Sequence, residues 1–471
     1  MTRFPGAGSD AGRTAAIVGG GISGLAAARR FSQQGARVTV LEAADRLGGQ
    51  IREATVAGYL VEVGAEAVHA SAPGMNTLIT ELGLADDLIK ANRSASWLWT
   101  KRGLRHLPAG VGPAGPRHLG PLVRSRVMSL GGLARAGLEP LIPYRRLSGD
   151  IGVGDFISRR FGRQVAERLV DPVLGGLHAG DINRLSLRAT APELAAVADA
   201  RGSVILSQRA RNSGPSMSFV TWAGGLTTLV ERLWTDTDIE VRTSTRVSSV
   251  TVMPDGRYCL QIADGSVVEV DAVVLAVPAT VAADLLRPLS VNAANLLGRV
   301  RYASVATVVV AYPGAAMRQI KTRTGTGLLV PSSRGRLLKA ATFLSAKWPH
   351  LADPALTLVR LSGGRADARE ICDLDDAALV ARLHGDLADA TGMTAEPTES
   401  YVQRWPSAMP QLEVGHLELM TSVRQDLMRF PGLALAGASY DGLGITACVR
   451  SGERAAVTGL SEAGTEQRTT A

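Results

Sequence analysis

The sequence predicts an α/β protein: a parallel-sheet nucleotide-binding unit assembled from distant pieces, a mixed-sheet domain and an inserted helical domain. Three observations predict it. The run IVGGGISGLAA, Ile17 to Ala27, spaces Gly19, Gly21 and Gly24 as G-x-G-x-x-G between an apolar strand and a helix-patterned segment. A second β-like run, Ala36 to Leu41, ends on an acid, Glu42, where a ribose partner belongs. Buried strand-then-helix segments return at 271–286 and 433–456, near the far end of the chain.

Each element has a local reason. Ala15 to Val18 is short and wholly apolar, as a buried parallel strand requires. Ile22 to Gln34 has helical spacing and stops at Gly35. The glycines allow the tight turn, the approach of backbone to a pyrophosphate and close helix–strand packing; the pyrophosphate belongs at the helix N-terminus. The acid argues against a 2′-phosphate and so against NADP. Tyr59, Val61 and Val63 alternate in a strand reaching Gly64. Residues 90–210 are broken by Pro and Gly and read as a helical insertion. From Met217, SFVTWAGGLTTLVERL reads as a loop opening a helix, and strands flank the Asp255-Gly256 turn. VATVVVAY and LTLVRL suggest a second sheet. The expected division is 13–89, 211–290 and 413–462 for the nucleotide unit, 90–210 for the insertion and 291–412 for the sheet domain, with disordered tails at 1–12 and 463–471.

The 471 residues exceed one ordinary core. Cys259, Cys372 and Cys448 are scattered and odd in number, which predicts a reducing compartment without a disulfide or metal framework. No secretory signal and no apolar run of spanning length stand out, so a cytoplasmic location is expected, with peripheral contact at the inner face of the membrane as a variant. The formal charge is +8, and its basic excess gathers between Lys101 and Arg146, where Arg102, Arg105, Arg117, Arg124, Arg126, Arg135 and Arg145 face one acid, Glu139. Such a block suits an acidic substrate or an anionic membrane, or is a solvated face. With 4% aromatic residues and no nucleic-acid module, nucleic acid is not expected.

After Glu42 comes AADRLGGQI, Ala43 to Ile51. With VTWAGGL, DAVVLAVP and GASYDGLGI, it resembles the FAD flavoproteins of the amine oxidase and protoporphyrinogen oxidase superfamily. DPVLGGLHAGDINRLS, Asp171 to Ser186, and RWPSAMPQLEVGHLE, Arg404 to Glu418, resemble the porphyrinogen oxidases, in particular the bacterial coproporphyrin-forming type. The resemblance implies a Rossmann-like FAD domain of the amine oxidase and p-hydroxybenzoate hydroxylase kind. It also implies oxygen-dependent oxidation of coproporphyrinogen III to coproporphyrin III in haem biosynthesis: hydride leaves a meso carbon for FAD, oxygen reoxidises the flavin, and hydrogen peroxide is released. Partners so implied are an acidic tetrapyrrole, molecular oxygen and a ferrochelatase receiving the product.

The same resemblance assigns Gly19, Gly21, Ile22, Ser23, Gly24, Glu42, Ala43, Arg46, Gly49, Gln50, Gly64, Ala65, Glu66, Ala67, Val247, Trp405, Leu443, Gly444, Ile445 and Thr446 to FAD. Arg46 is read as a phosphate partner. Val247 equally suits plain core, and Thr446 a helix start. For substrate it points to Gly176, His69 and His178, although a turn glycine and structural histidines explain these as well. No catalytic acid or base is assigned, and no Ser-His-Asp grouping or metal motif is present. Alternatives are a protoporphyrinogen IX oxidase, an amine oxidase of the same fold, which the low aromatic content and LHAGD argue against, and a non-catalytic tetrapyrrole-carrying flavoprotein.

Overall fold

The structure is a computed structural model that describes residues 12–463 except 93, 144–146, 148, 211–218, 236, 320–324, 367 and 369. The expected tails, apart from Gly12 and Ala463, and the basic residues Arg145 and Arg146 therefore lie outside the described residues. Thr14–Val18 is the central strand of a five-stranded parallel sheet, in the order Ile239–Arg242, Arg37–Leu41, Thr14–Val18, Ala272–Leu275, Leu433–Leu435. Both faces of this sheet are covered, which is why Ala15 to Val18, Ala272–Leu275 and Leu433–Leu435 read as continuous apolar runs. On one face lie the helices Ile22–Gln33 and Ile445–Ala463, with Leu25, Phe31, Val449 and Ala456 in their shared core. They cross closely at Gly452, where a Cβ would sit 2.1 Å from Ser23 O. The other face carries Ala279–Leu286, Val291–Leu297 and His416–Leu427, together with a three-stranded antiparallel sheet, Val247–Val252, Tyr258–Ile262 and Val267–Val270.

A second sheet of seven strands runs Glu399–Pro410, Tyr302–Pro313, Leu356–Gly363, Leu338–Phe343, Gly325–Leu329, Ala95–Thr100, Gly103–His106. The last two strands differ from the expected helical reading of 90–210. Strand periodicity explains it: Leu98 turns into the helical core and Trp99 into the sheet core, so this strand is the seam between the two. Helical structure begins only at Leu119–Ser125 and surrounds Leu122, Phe156, Phe161, Leu169 and Leu194. The other expected boundary to shift is 291. Val291–Leu297 buries Ala293, Ala294 and Leu297 against Leu275 and Val423, on the nucleotide side, and the sheet proper starts at Tyr302.

The basic block divides between two supports. Lys101, Arg102 and Arg105 lie in or beside the edge hairpin, whereas Arg117, Arg124, Arg126 and Arg135 belong to the helical unit. Its acid, Glu139, is no surface counter-charge: it is wholly buried, accepting from Arg160, Ser203 and the Val204 amide. The exposed part of the block is therefore more basic than its composition suggests.

Candidate functional site

The glycine turn is built as its spacing predicts. Gly19 has φ 104°, and a Cβ there would lie 2.5 Å from Ala276 O; a Cβ on Gly24 would lie 1.9 Å from Gly19 O. Only glycine permits this fit, so the helix N-terminus is pressed onto the carboxyl end of the strand, with the first-turn amides of Ile22 to Gly24 ahead of the helix ladder. The second glycine turn meets the first. Gly48 N donates to Gly20 O at 2.9 Å, and a Cβ on Gly49 would lie 3.3 Å from Gly21 Cα. Glu42 accepts from Gly20 N at 2.6 Å and from Ala44 N at 2.8 Å, which fixes its carboxylate at the rim and leaves lone pairs for hydroxyl donors.

Arg46 is placed differently from a plain phosphate partner. Its guanidinium donates to Leu47 O, Ile51 O and Gly49 O, so in this structure it shapes the Gly48-Gly49 turn. Ala43 follows Glu42 at the end of the second strand. Leu443, Gly444, Ile445 and Thr446 form the entry to the last helix, and Gly444 adopts φ 102°. Val247 is 8% exposed in the core with Leu41 and Ile262, as its plain-core alternative also requires.

Beyond the cradle, segments distant in sequence converge on Gly64. A Cβ there would lie 1.9 Å from Gln50 O and 3.1 Å from the Trp405 ring. Trp405 Nε1 donates to Val63 O at 3.0 Å, and Gln50 Nε2 donates to Ala408 O at 2.7 Å. Trp405 also packs, as Ala366 and Met409 do, against the small apolar cluster of Ala179, Ala303 and Val305. The turn at Ala179 is pinned from both sides, since Ala366 N donates to Ala179 O at 2.5 Å and Gln411 Nε2 donates to His178 O at 3.0 Å. Its approach, Ala166–Gly175, is a π-helix containing Pro172, a widened ladder of the kind that gathers at functional sites.

Gly176 continues that helix at φ −61°, not in a β-turn, with open space where a Cβ would stand; its carbonyl accepts from Ala179 N at 3.4 Å. His178 is 5% exposed, and among the described residues its Nδ1 has no partner. Burial, then Lys339 beside it, lowers its pKa to about 4, so the ring is neutral. His69 lies elsewhere, in the short strand Val68–His69, edge-on to Phe219.

Of the Gly64 to Ala67 run, Glu66 sends its side chain into the sheet domain. It accepts from Lys347 Nζ at 2.6 Å, Trp348 Nε1 at 3.2 Å and Arg360 Nη1 at 2.9 Å, while Arg360 Nη2 donates to Gly64 O. Burial alone would raise its pKa; Lys347 and Arg360 outweigh it and hold it at about 2. Neighbouring Glu62 goes the other way. Burial, with Glu53 close by, lifts it to about 8 although Leu226 N donates to it at 2.5 Å. Arg360, Lys347, Lys339 and Arg365 were not singled out from sequence; the available signal is a cation inside an apolar strand run, as in LLKAATF and LTLVRL.

A dinucleotide cradle under a second sheet, joined through Gly64 and Trp405, defines a flavin-dependent oxidoreductase. Residues 22–458 match the sequence profile of the flavin containing amine oxidoreductases, and the chain belongs to that family. FAD is its cofactor. Coproporphyrinogen III oxidase of Bacillus subtilis is 31% identical over 464 residues, covering 95% of this chain and 98% of the relative. That of Mycobacterium tuberculosis H37Rv is 34% identical over 462 residues, covering 96% and 98%. A solved structure from Exiguobacterium sp. 255-15, provisionally named as a protoporphyrinogen oxidase, superposes with a TM-score of 0.84 at 29% identity over 95% of this chain and 98% of that one. A putrescine oxidase variant, at 18% identity and a TM-score of 0.67 over 94% of this chain and 98% of its own, shares the fold.

Proposed function

We propose that this chain oxidises coproporphyrinogen III to coproporphyrin III in haem biosynthesis. The observation that carries the reading is that the Asp171 to Ser186 segment and Trp405, which lies over Gly64, share one apolar cluster, in a chain of which coproporphyrinogen III oxidases match 95% and 96%. Bound FAD supplies a two-electron acceptor, and oxygen is the final acceptor, giving one hydrogen peroxide for each pair of electrons. The protein's own contribution is placement. The first helix turn holds the pyrophosphate and Glu42 the ribose hydroxyls. The Gly64 backbone and Trp405 fix the flavin ring's surroundings, and the pinned Ala179 turn sets the macrocycle's distance and excludes water.

No helix among the described residues is long and apolar enough to cross a membrane. Peripheral contact fits the helical unit, where Val123, Leu130, Leu138 and Leu141 stand exposed beside Arg124, Arg126 and Arg135. A product as apolar in its ring as a porphyrin suits direct transfer to a ferrochelatase. The function is tested by aerobic fluorescence turnover of purified holoenzyme with coproporphyrinogen and protoporphyrinogen in parallel, with peroxide recorded. A higher kcat/KM for coproporphyrinogen supports the proposal; a protoporphyrinogen preference moves it to that substrate, and no turnover of either overturns it. Salt-sensitive flotation with anionic liposomes tests the membrane contact.

A further inference from the structure

Between the sheet and the π-helix lie four basic side chains, Lys339, Arg365, Arg360 and His178, whose donors exceed the acceptors that Glu66 and Asp171 offer them. Lys339 is 8% exposed, and among the described residues its ammonium has neither an ion pair nor a hydrogen bond. The groups that face it are Arg365, Arg360 and His178. Arg365 Nη2 is spent on Val330 O at 2.5 Å, but its Nε and Nη1 are buried with no acceptor among the described residues. The acid facing Arg365, Asp171, is itself engaged by Ser332 N at 2.7 Å. Arg360 is paired with Glu66 yet keeps an orphaned Nε, and His178 keeps an orphaned Nδ1.

A buried cation without a partner is expensive, and several unmet donors converging on one place multiply the cost. They become favourable when a carboxylate arrives. The cluster is also in the right place: Ala179, beside His178, belongs with Ala303 and Val305 to the apolar cluster against which Trp405 packs, and the Trp405 ring lies over Gly64. The dinucleotide's phosphates belong at the other glycine turn, by Ile22 to Gly24.

We propose that Lys339, Arg365 and His178 form an interior pocket for one propionate carboxylate of the tetrapyrrole substrate. Lys339 is the principal charge, Arg365 supplies the fork, and a neutral His178 carrying its proton on Nδ1 supplies the third donor. This rests on the porphyrinogen reading and extends it to the orientation of the macrocycle. It gives the interior its own preference for acidic substrates, separate from the exposed basic block. Burial first, and then Arg365 and Arg360, lower the Lys339 pKa to about 7. An incoming carboxylate raises it, so binding takes up a proton near neutral pH.

The test uses FAD-loaded wild type, Lys339→Met and Lys339→Arg, titrated with coproporphyrin III and with its tetramethyl ester. Met should weaken the free acid by about thirtyfold, the loss typical of truncating one partner of a buried charge pair, and leave the ester unchanged. Arg should recover most of that loss. In the absence of porphyrin, Met should resist urea better than wild type, because it removes a buried unpaired charge; a lysine with only a structural role would do the reverse. Proton uptake on binding, read from calorimetry in buffers of different ionisation enthalpy, should vanish in Met. If wild type turns over coproporphyrinogen while Met binds the free acid as wild type does, the pocket is overturned and the function stands. If wild type neither turns over coproporphyrinogen nor binds the free acid, both fall.

Discussion

Replacing Glu66 by Gln removes one charge and keeps the side chain's shape. The carboxylate is 14% exposed and serves Lys347, Trp348 and Arg360, so the change leaves two cations around a neutral amide. Its pKa, about 2 against an ordinary 4.5, corresponds to about 3 kcal/mol of native-state stabilisation, at 1.36 kcal/mol per unit. That agrees with the roughly 3 to 5 kcal/mol lost when one partner of a buried pair is deleted. Because the folded pKa lies below the unfolded one, the stabilisation is complete above 4.5 and disappears as the pH falls toward about 2. Urea titrations of holoenzyme should therefore show E66Q about 3 kcal/mol weaker at neutral pH, with the gap closing as the solution is acidified. Lys347→Met on the E66Q background should return part of the loss. A neutral-pH difference below about 0.5 kcal/mol, or a gap independent of pH, would refute the reasoning.

Glu62 should behave in the opposite sense: with a folded pKa near 8, its contribution is present below 4.5 and is lost as the pH rises through 8, a ceiling on the order of 5 kcal/mol. E62Q should flatten the fall in urea stability between pH 4.5 and about 8, and a profile parallel to wild type counts against it. Gly64→Ala forces a methyl against Gln50 O and the Trp405 ring, an overpacking of about 1 to 3 kcal/mol in which backbone must move. The protein should purify with less flavin per chain, which absorbance ratios would show. Neutralising Arg102, Arg105, Arg124 and Arg126 together should raise KM for the tetracarboxylate more than for protoporphyrinogen; an equal rise would mean the block does not select substrate.

How much of this was legible from the residues varies with the range of the interaction. The glycine cradle was legible because its constraints are local: Gly19, Gly24 and Glu42 sit within one βαβ unit, and each has a steric or hydrogen-bonding reason. The sheet seam at Ala95–Thr100 was not, because two tryptophans in a Pro- and Gly-broken region gave no clean alternation until both faces were seen to be covered. Arg46 had the expected neighbourhood, but geometry gives its guanidinium to backbone carbonyls. The Glu66 network joins residues 281 and 294 positions apart, and the Lys339 cluster draws on His178 from another domain, so no single segment carries that information.

The central claim is that a porphyrinogen delivers electrons to the flavin held by this cradle. The direct measurement is anaerobic mixing of FAD-loaded protein with coproporphyrinogen III, following flavin absorbance and porphyrin fluorescence together. The account predicts bleaching of the flavin at a rate sufficient for turnover, faster than with protoporphyrinogen, and recovery of its absorbance when oxygen is admitted. Flavin that remains oxidised with coproporphyrinogen, while a simple amine bleaches it, would contradict the account.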